Sequence, residues 1–253
     1  MPDDDDAADE RRARLWTWIR DLADRDGSAV AVRHVCAVAV AVLGAADAVV
    51  YQASTDGSCE PVAVTGSLAD RVSEAEITFG EGPALEAMVD ERLVVAADLE
   101  ARKWQVWWPV FAPFALAEGV RGVTAFPIVM GAVVIGGLEA YHRSPVAPDR
   151  ERLVDGLLLA DAALLVLLRG DFEGTGDDPF SDGLEARWAT VHQATGAVSV
   201  QLGTDLATAF VRLRAHAYRT GRRLGDVAAD VVARRVTFKP ESGREPDAEA
   251  EQG

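Results

Sequence analysis

The sequence contains few cysteines and no long uninterrupted hydrophobic run, and each shortage excludes a class of protein. The two cysteines, Cys36 and Cys59, are too few for a disulfide framework or a four-thiolate zinc site. The longest uncharged apolar run, Gly122–Leu138, is interrupted by Pro127 and by two adjacent glycines, which argues against a membrane-spanning helix. The first six residues, MPDDDD, lack the positive charge that begins a signal peptide. We therefore expect a soluble, cytoplasmic protein without a membrane segment.

The composition is that of a globular protein, but its charge is unevenly distributed. Hydrophobic residues make up 49% of the 253 residues and charged residues 26%, which suits one or two folded domains. The formal net charge is −16, yet residues 184–239 contain nine bases and four acids, a net charge of +5. Only two of the 25 bases in the chain are lysines. A basic block in an acidic chain favours a polyanionic partner, although a solvated basic helical surface would explain it equally well.

Composition and hydrophobic periodicity divide the chain into five segments. They are an acidic disordered tail at 1–10, an α+β domain at 11–169, an acidic glycine-rich linker at 170–183, a small all-α domain at 184–239 and an acidic disordered tail at 240–253. The tails are predicted from their charge and their lack of large apolar residues. The linker is predicted from four glycines and five acids with little apolar content.

The second segment has the pattern of strands flanked by helices, which indicates an α+β domain with an antiparallel sheet. The predicted elements are helices at 11–25 and 29–43, strands at 47–53 and 61–67, a helix at 84–90, a strand at 93–97, an irregular aromatic segment at 102–120, strands at 122–129 and 133–141, and a helix at 149–168.

The fourth segment has a purely helical pattern. Three helices are predicted at 184–202, 205–219 and 224–234, with Gly203 and Gly221 ending the first two. Leu206 is predicted to face inward together with the other apolar residues of the second helix. Three short helices give only a small core, so we expect this unit to pack against the preceding domain or a partner.

Several motifs of the α+β segment resemble those of GAF domains. Ile77–Pro83 before a helix, then Arg92–Asp98, and finally Gly122–Ile128 followed by Ile135–Glu139 occur in the family's order and spacing. The resemblance covers about residues 28–168. It implies a six-stranded antiparallel sheet flanked by helices, a candidate small-molecule ligand, and dimerisation through the terminal helices.

The basic segment resembles ANTAR domains more sharply. The motifs are Val191–Gly196, Ala209–Ala217 and Gly221–Ala228, and the resemblance covers about residues 184–235. It implies a three-helix module that binds RNA hairpins near terminators and acts in transcription antitermination. A GAF domain followed by an ANTAR domain is the layout of actinobacterial antitermination regulators. Thr195 stands where the family usually has lysine, so the alternative is a regulator of protein interaction or dimerisation that has lost RNA binding.

The resemblance and the charge pattern together predict an RNA-binding surface. The residues predicted to form it are Ala194, Thr195, Gly196, Arg212, Arg214, Arg222 and Arg223. Arginine binds phosphate through paired hydrogen bonds and stacks on unpaired bases. We expect the arginine side chains to point away from the apolar face of the second helix. The small residues Ala194 and Gly196 would either admit a nucleotide or allow close helix packing.

Other chemistry has weaker support in the sequence. Trp104, Trp107 and Trp108 could line a ligand pocket or could cap the sheet. His34 and Cys36 are two residues apart on a predicted helix and do not face each other, so we expect no metal site there. No catalytic motif is present, and we do not expect an enzyme.

The predicted helices at 11–25 and 149–168 suggest self-association. Both carry more apolar surface than a small sheet can cover. We therefore expect a homodimer held by a helical bundle.

Overall fold

A computed structural model of the chain describes residues 3–54, 58–169 and 181–239. Its helices are α1 (Asp3–Arg25), α2 (Val32–Leu43), α3 (Ser67–Phe79), α4 (Pro83–Asp90), α5 (Arg102–Trp107), α6 (Phe111–Ala117), α7 (Arg150–Arg169), α8 (Ser181–Leu202), α9 (Leu206–Thr220) and α10 (Leu224–Val232). Its strands are β1 (Asp47–Ala53), β2 (Cys59–Val64), β3 (Val94–Ala96), β4 (Gly122–Met130) and β5 (Val133–His142). We call the part of the chain from α1 to α7 the sheet domain, and α8 to α10 the helical unit.

The five strands form one antiparallel sheet in the order β2-β1-β5-β4-β3. A short turn with Gly131 at φ 63° joins β4 to β5, which glycine permits without strain. The antiparallel sheet and flanking helices confirm the predicted α+β class. The sixth strand that the resemblance implies is absent from the described residues.

Alternate residues of each strand point to opposite faces of the sheet, and each face is covered by helices. On one face α1, α2 and α7 enclose Val50, Phe126 and Leu138. Gly156 of α7 lies so close to the Phe126 ring that a Cβ atom would overlap it. On the other face α3 and α4 pack over residues that include Tyr51.

The second apolar cluster continues without a break into the helical unit. Its members there include Leu184 and Trp188 of α8, Leu213 of α9 and Val227 of α10. Helix α8 lies along the edge strand β2, while α9 and α10 contact α3. The helical unit is therefore packed against the sheet domain, as the small size of its own core predicts.

The N-terminal segment and the predicted linker differ from the sequence prediction in part, and some predicted segments lie outside the described residues. Helix α1 begins at Asp3, so residues 3–10, predicted to be disordered, are helical. Acidic residues near a helix N-terminus interact favourably with the helix dipole, and this favours a helix despite the lack of large apolar residues. Most of the predicted linker, 170–180, and the whole predicted tail, 240–253, lie outside the described residues. Helix α8 begins at Ser181, within the predicted linker.

Helix α3 is absent from the sequence prediction, and together with β2 it contacts the helical unit. Its polar residues Ser73, Glu74 and Glu76 are buried beside apolar ones, so the apolar spacing alone does not mark its inner face. Leu206, predicted to face inward, is exposed at the start of α9. No helix in the described ranges is both long and apolar enough to cross a membrane.

Candidate nucleic-acid interface

The three residues predicted to form a low surface on α8 have different surroundings. Ala194 is fully buried, and Thr195 is buried with its hydroxyl donating to the Val191 carbonyl oxygen at 2.8 Å. Thr195 lies at a small cavity shared with Cys59 of β2, and therefore faces the sheet domain. Gly196 is half-buried, and a Cβ atom there would meet nothing within 4 Å. Close packing therefore does not explain Gly196, and of the three residues it alone borders open space.

The four predicted RNA-binding arginines divide into two pairs. Arg212 and Arg222 have exposed side chains, and Arg222 forms an ion pair with Asp230 at 2.7 Å. Arg214 and Arg223 extend towards the sheet domain, yet the Arg223 side chain is 41% exposed, about the same as the 39% of Arg222. Arg214 is half-buried, so the structure does not gather all four guanidinium groups on one solvent-facing surface.

Arg214 departs from the expectation that it points away from the apolar face of α9. Its guanidinium lies 5.7 Å from the centre of the Phe210 ring and against Gly80, where a Cβ atom would overlap it. Burial lowers the pKa of this side chain, and its Nε atom has no hydrogen-bond partner. Gly80, at φ 75°, ends α3 and leaves the space that Arg214 occupies.

Two carboxylates of α3 and two arginines of the helical unit form a cluster that we call the acidic clamp: Asp70, Glu74, Arg187 and Arg223. Arg223 donates from Nε to Glu74 Oε2 at 2.8 Å and from Nη2 to Asp70 Oδ2 at 2.9 Å. Arg187 of α8 donates to both Asp70 oxygens. Asp70 and Glu74 are four residues apart and share one face of α3, so their carboxylates present two negative charges to α8 and α10.

Glu74 also caps helix α10. The N-cap residue, Arg223, makes no side-chain capping bond of its own. The backbone N–H of Gly225 donates to Glu74 Oε1 at 2.8 Å instead. The first amides of a helix lack partners within the helix, so a carboxylate from another domain satisfies one of them.

Further contacts extend the interface on both sides of the acidic clamp. His192 Nε2 of α8 lies 2.5 Å from Glu60 Oε2 of the edge strand. The Phe79 ring meets Tyr218 of α9 edge-on, with centroids 5.9 Å apart. A cavity of about 340 Å³, lined by both aromatic and charged side chains, lies between α3, α6 and the α9–α10 turn.

Behind α3, two buried carboxylates share the core with two tyrosines. The Tyr51 hydroxyl lies 2.9 Å from Glu139 Oε2 and 3.2 Å from Glu76 Oε2, and the Tyr141 hydroxyl donates to Glu139 at 2.6 Å. Burial raises the pKa of Glu76 well above its ordinary value, and the neighbouring Glu139 raises it further. Burial also raises the pKa of Glu139. Glu76 Oε1 accepts the Ala84 amide at 2.8 Å and so binds the start of α4.

The three tryptophans of the candidate ligand pocket do not share one environment. Trp104 and Trp108 are buried and stacked, with centroids 4.7 Å apart and planes 8° from parallel. The Trp107 side chain is 63% exposed. A ligand pocket formed by all three stays a prediction. Among the described residues, no group of three histidine, cysteine or acidic side chains is placed to hold a metal ion.

Sequence reasoning missed the residues that join the two parts of the molecule: Asp70, Glu74, Glu60 and Arg187. An i, i+4 pair of acids on a helix is a visible signal that a basic partner is needed. The partners lie 117 to 153 residues away in sequence, however, so local spacing does not identify them.

Comparison with known proteins gives a family match for the helical unit and similar solved structures for the sheet domain. The GAF domain of a phosphoenolpyruvate-protein phosphotransferase from Coxiella burnetii is similar at 16% identity and a TM-score of 0.49, over 64% of this chain and 98% of that one. The GAF domain of the Acinetobacter phosphotransferase of the same name is similar at 12% identity and a TM-score of 0.44, over 63% and 96%. A search of curated protein sequences finds no match. Residues 184–232 match the ANTAR domain family, so the chain carries an ANTAR domain behind an antiparallel α+β domain that resembles GAF domains.

Proposed function

We propose that the chain is a transcription regulator that binds RNA hairpins near terminators through its ANTAR domain and acts by antitermination. The observation that carries this proposal is the position of the family match. It spans residues 184–232, which lie within the block that has nine bases and four acids in an otherwise acidic chain. Basic surface charge attracts a polyanion and makes its binding dependent on salt.

Exposed arginines of α9 and of the following turn supply the chemistry for this binding. Arg212 and Arg219 are seven residues apart and share one face of α9, and Arg222 follows in the turn. Their planar guanidinium groups suit both phosphate and unpaired bases. Gly196, which borders open space on α8, leaves room for close approach of a nucleotide.

In this proposal the sheet domain is the sensor and α3 carries its signal. Helix α3 contacts both the sheet and the ANTAR helices, so a shift of α3 changes the acidic clamp and the position of α10. A small-molecule ligand of the sheet domain is the proposed input. Coupling of this kind needs only that the ligand bind the two arrangements of the domains with different affinity.

A second candidate is a regulator that uses its ANTAR domain for protein contacts alone. The observation that favours it is that Arg214 is half-buried against Gly80 and that Arg223 is bound to carboxylates of the same chain. Thr195, the position of the usual lysine, is likewise buried against the sheet domain.

Binding to a labelled pool of RNA hairpins with randomised loops separates the two candidates. The test variant is Arg212→Ala/Arg222→Ala in the full chain, and Arg102→Ala/Arg143→Ala removes the same charge from exposed sites of the sheet domain. We expect weaker binding for the test variant only, with the logarithmic salt slope reduced by about 0.7 for each lost phosphate contact. Equal affinity of the wild type and the test variant, or no binding by any protein, contradicts RNA binding and favours protein contacts.

A further inference from the structure

The acidic clamp has the chemistry of an anion site that is already filled. Arg223 donates three hydrogen bonds to carboxylates, and the N-terminal amide of Gly225 donates a fourth. Arginine side chains and helix N-termini together form the usual site for phosphate groups. Glu74, whose exposed fraction is only 2%, therefore occupies a position suited to a phosphate oxygen of a polyanion.

The same contacts occupy part of the basic charge of the ANTAR domain. Arg187 and Arg223 are bound by the carboxylates of α3, although the Arg223 side chain remains 41% exposed. Asp70 and Glu74 offset the charge of these two arginines, so the docked ANTAR domain presents less positive charge to a polyanion than its sequence contains.

We infer that the acidic face of α3 is a docking surface for the ANTAR domain of its own chain, and that it competes with RNA phosphates for Arg187 and Arg223. This inference rests on the proposed function. RNA binding to these arginines requires the acidic clamp to open, so the apparent affinity for RNA is reduced by the fraction of molecules in which it is closed. By reciprocity, bound RNA shifts the molecule towards the undocked arrangement.

The inference gains independent support from the shape of the interface. Gly225 lies so close to the Arg187 side chain of α8 that a Cβ atom would overlap it, so the lack of a side chain lets the start of α10 approach α8. This packing holds Arg187 and the Gly225 amide side by side, where both face the carboxylates of α3. Removal of both carboxylate charges should weaken the contact between α3 and the ANTAR domain without altering any residue of the ANTAR domain.

The experiment compares the full chain with its Asp70→Asn/Glu74→Gln variant. Binding to the randomised-loop hairpin pool is measured at one fixed salt concentration. Asp98→Asn/Glu100→Gln is the matched control, since it removes two charges from the sheet domain at a site that pairs with Arg121. We expect the test variant to bind RNA at least about fivefold more tightly, the lower end of typical coupling between sites. The control should stay within about twofold of wild type, well below that range.

Hydrogen exchange of the Gly225 amide measures docking without RNA. This amide lies in the first turn of α10 and is bonded to Glu74, so the wild type should protect it and the test variant should not. Unchanged protection in the variant overturns the inference. Lost protection with RNA affinity equal to wild type also overturns it, while the proposed function stands.

A complete lack of RNA binding by wild type, variant and control instead refutes the proposed function and the inference that rests on it. If the double variant does not fold, Asp70→Asn alone is tested, because it leaves the Glu74 cap of α10 in place. Its expected gain in RNA affinity is smaller, about twofold or more, since one charge of the acidic clamp remains. No gain with this variant contradicts the inference.

Discussion

Glu74 of α3 accepts a hydrogen bond from the backbone amide of Gly225 at 2.8 Å, so a residue of the sheet domain caps a helix of the ANTAR domain. The same carboxylate binds Arg223, the N-cap residue of α10. The Glu74 side chain thereby holds the start of α10 in position and places a negative charge at its N-terminus. The stability of α10 depends on a residue 151 positions earlier in the chain.

We predict that Glu74→Ala destabilises the protein by roughly 1–3 kcal/mol, because it leaves a buried amide and a paired arginine without their acceptor. Urea unfolding followed by circular dichroism measures the loss. Glu100→Ala removes a largely exposed carboxylate and should change the unfolding free energy by less than about 0.5 kcal/mol. Equal stability of the two variants would show that the cap contributes nothing.

We predict that Gly196→Ala stabilises the protein by about 0.5–1 kcal/mol, since alanine favours the helix and the new Cβ atom meets nothing within 4 Å. Gly203→Ala should have the opposite effect, because Gly203 has φ 64°. Thermal unfolding distinguishes the two. If a nucleotide approaches α8 at this point, Gly196→Ala also weakens hairpin binding; unchanged binding places the RNA elsewhere.

The buried carboxylates Glu76 and Glu139 predict an unusual dependence of stability on pH. Their raised pKa values mean that the folded state holds protons that the unfolded state releases above the ordinary value of 4.5. Stability is therefore fully present below that pH and falls as pH rises towards the raised values, by up to about 1.4 kcal/mol per pH unit for each proton held.

Glu76→Gln tests this dependence because glutamine resembles the protonated acid. Between pH 5 and pH 9, the unfolding free energy of the variant should fall less steeply than that of wild type. The reason is that the variant releases about one proton fewer when it unfolds. Glu100→Gln, at an exposed site, is the control and should follow wild type. Parallel curves for all three proteins would mean that Glu76 is ionised in the folded state.

An exposed apolar stripe on α7 predicts self-association. Leu157, Leu165 and Leu168 are 45%, 47% and 51% exposed, and their spacing places them on one side of the helix. We expect a dimer with twice the 27.0 kDa chain mass in light scattering at micromolar concentration. Leu165→Glu/Leu168→Glu should give monomers, whereas Val89→Glu/Val106→Glu, at exposed sites elsewhere, should not. A wild-type monomer would refute the dimer.

The sequence predicts the folds of both parts well, and it fails mainly at α3. Alternating short strands between helices gave the correct class, and the ANTAR motifs located a domain that the family match confirms. Helix α3 escaped detection because Ser73, Glu74 and Glu76 are buried alongside its apolar residues and interrupt their helical spacing. Hydrophobic periodicity identifies a buried face only where apolar contacts hold it.

The predicted RNA-binding residues show the same limit at the level of single side chains. The type and spacing of Arg212 suffice to place it at the surface, since it lies on an outward position of α9, and Arg222 is exposed in the turn that follows. The same reasoning placed Arg214 outward, yet its side chain is half-buried against Gly80. The difference arises from a neighbouring domain, which no spacing within α9 records.

The sequence by itself determined the fold class of the two parts, their charge and most of the helical faces that form their cores, because these depend on composition and on periods of a few residues. Only the tertiary structure decided which charges meet. Asp70 and Glu74 bind Arg187 and Arg223 across more than a hundred residues, as a consequence of packing α8 and α10 against β2 and α3. Ion pairs and helix caps formed between distant segments depend on that packing, and local sequence carries no record of it.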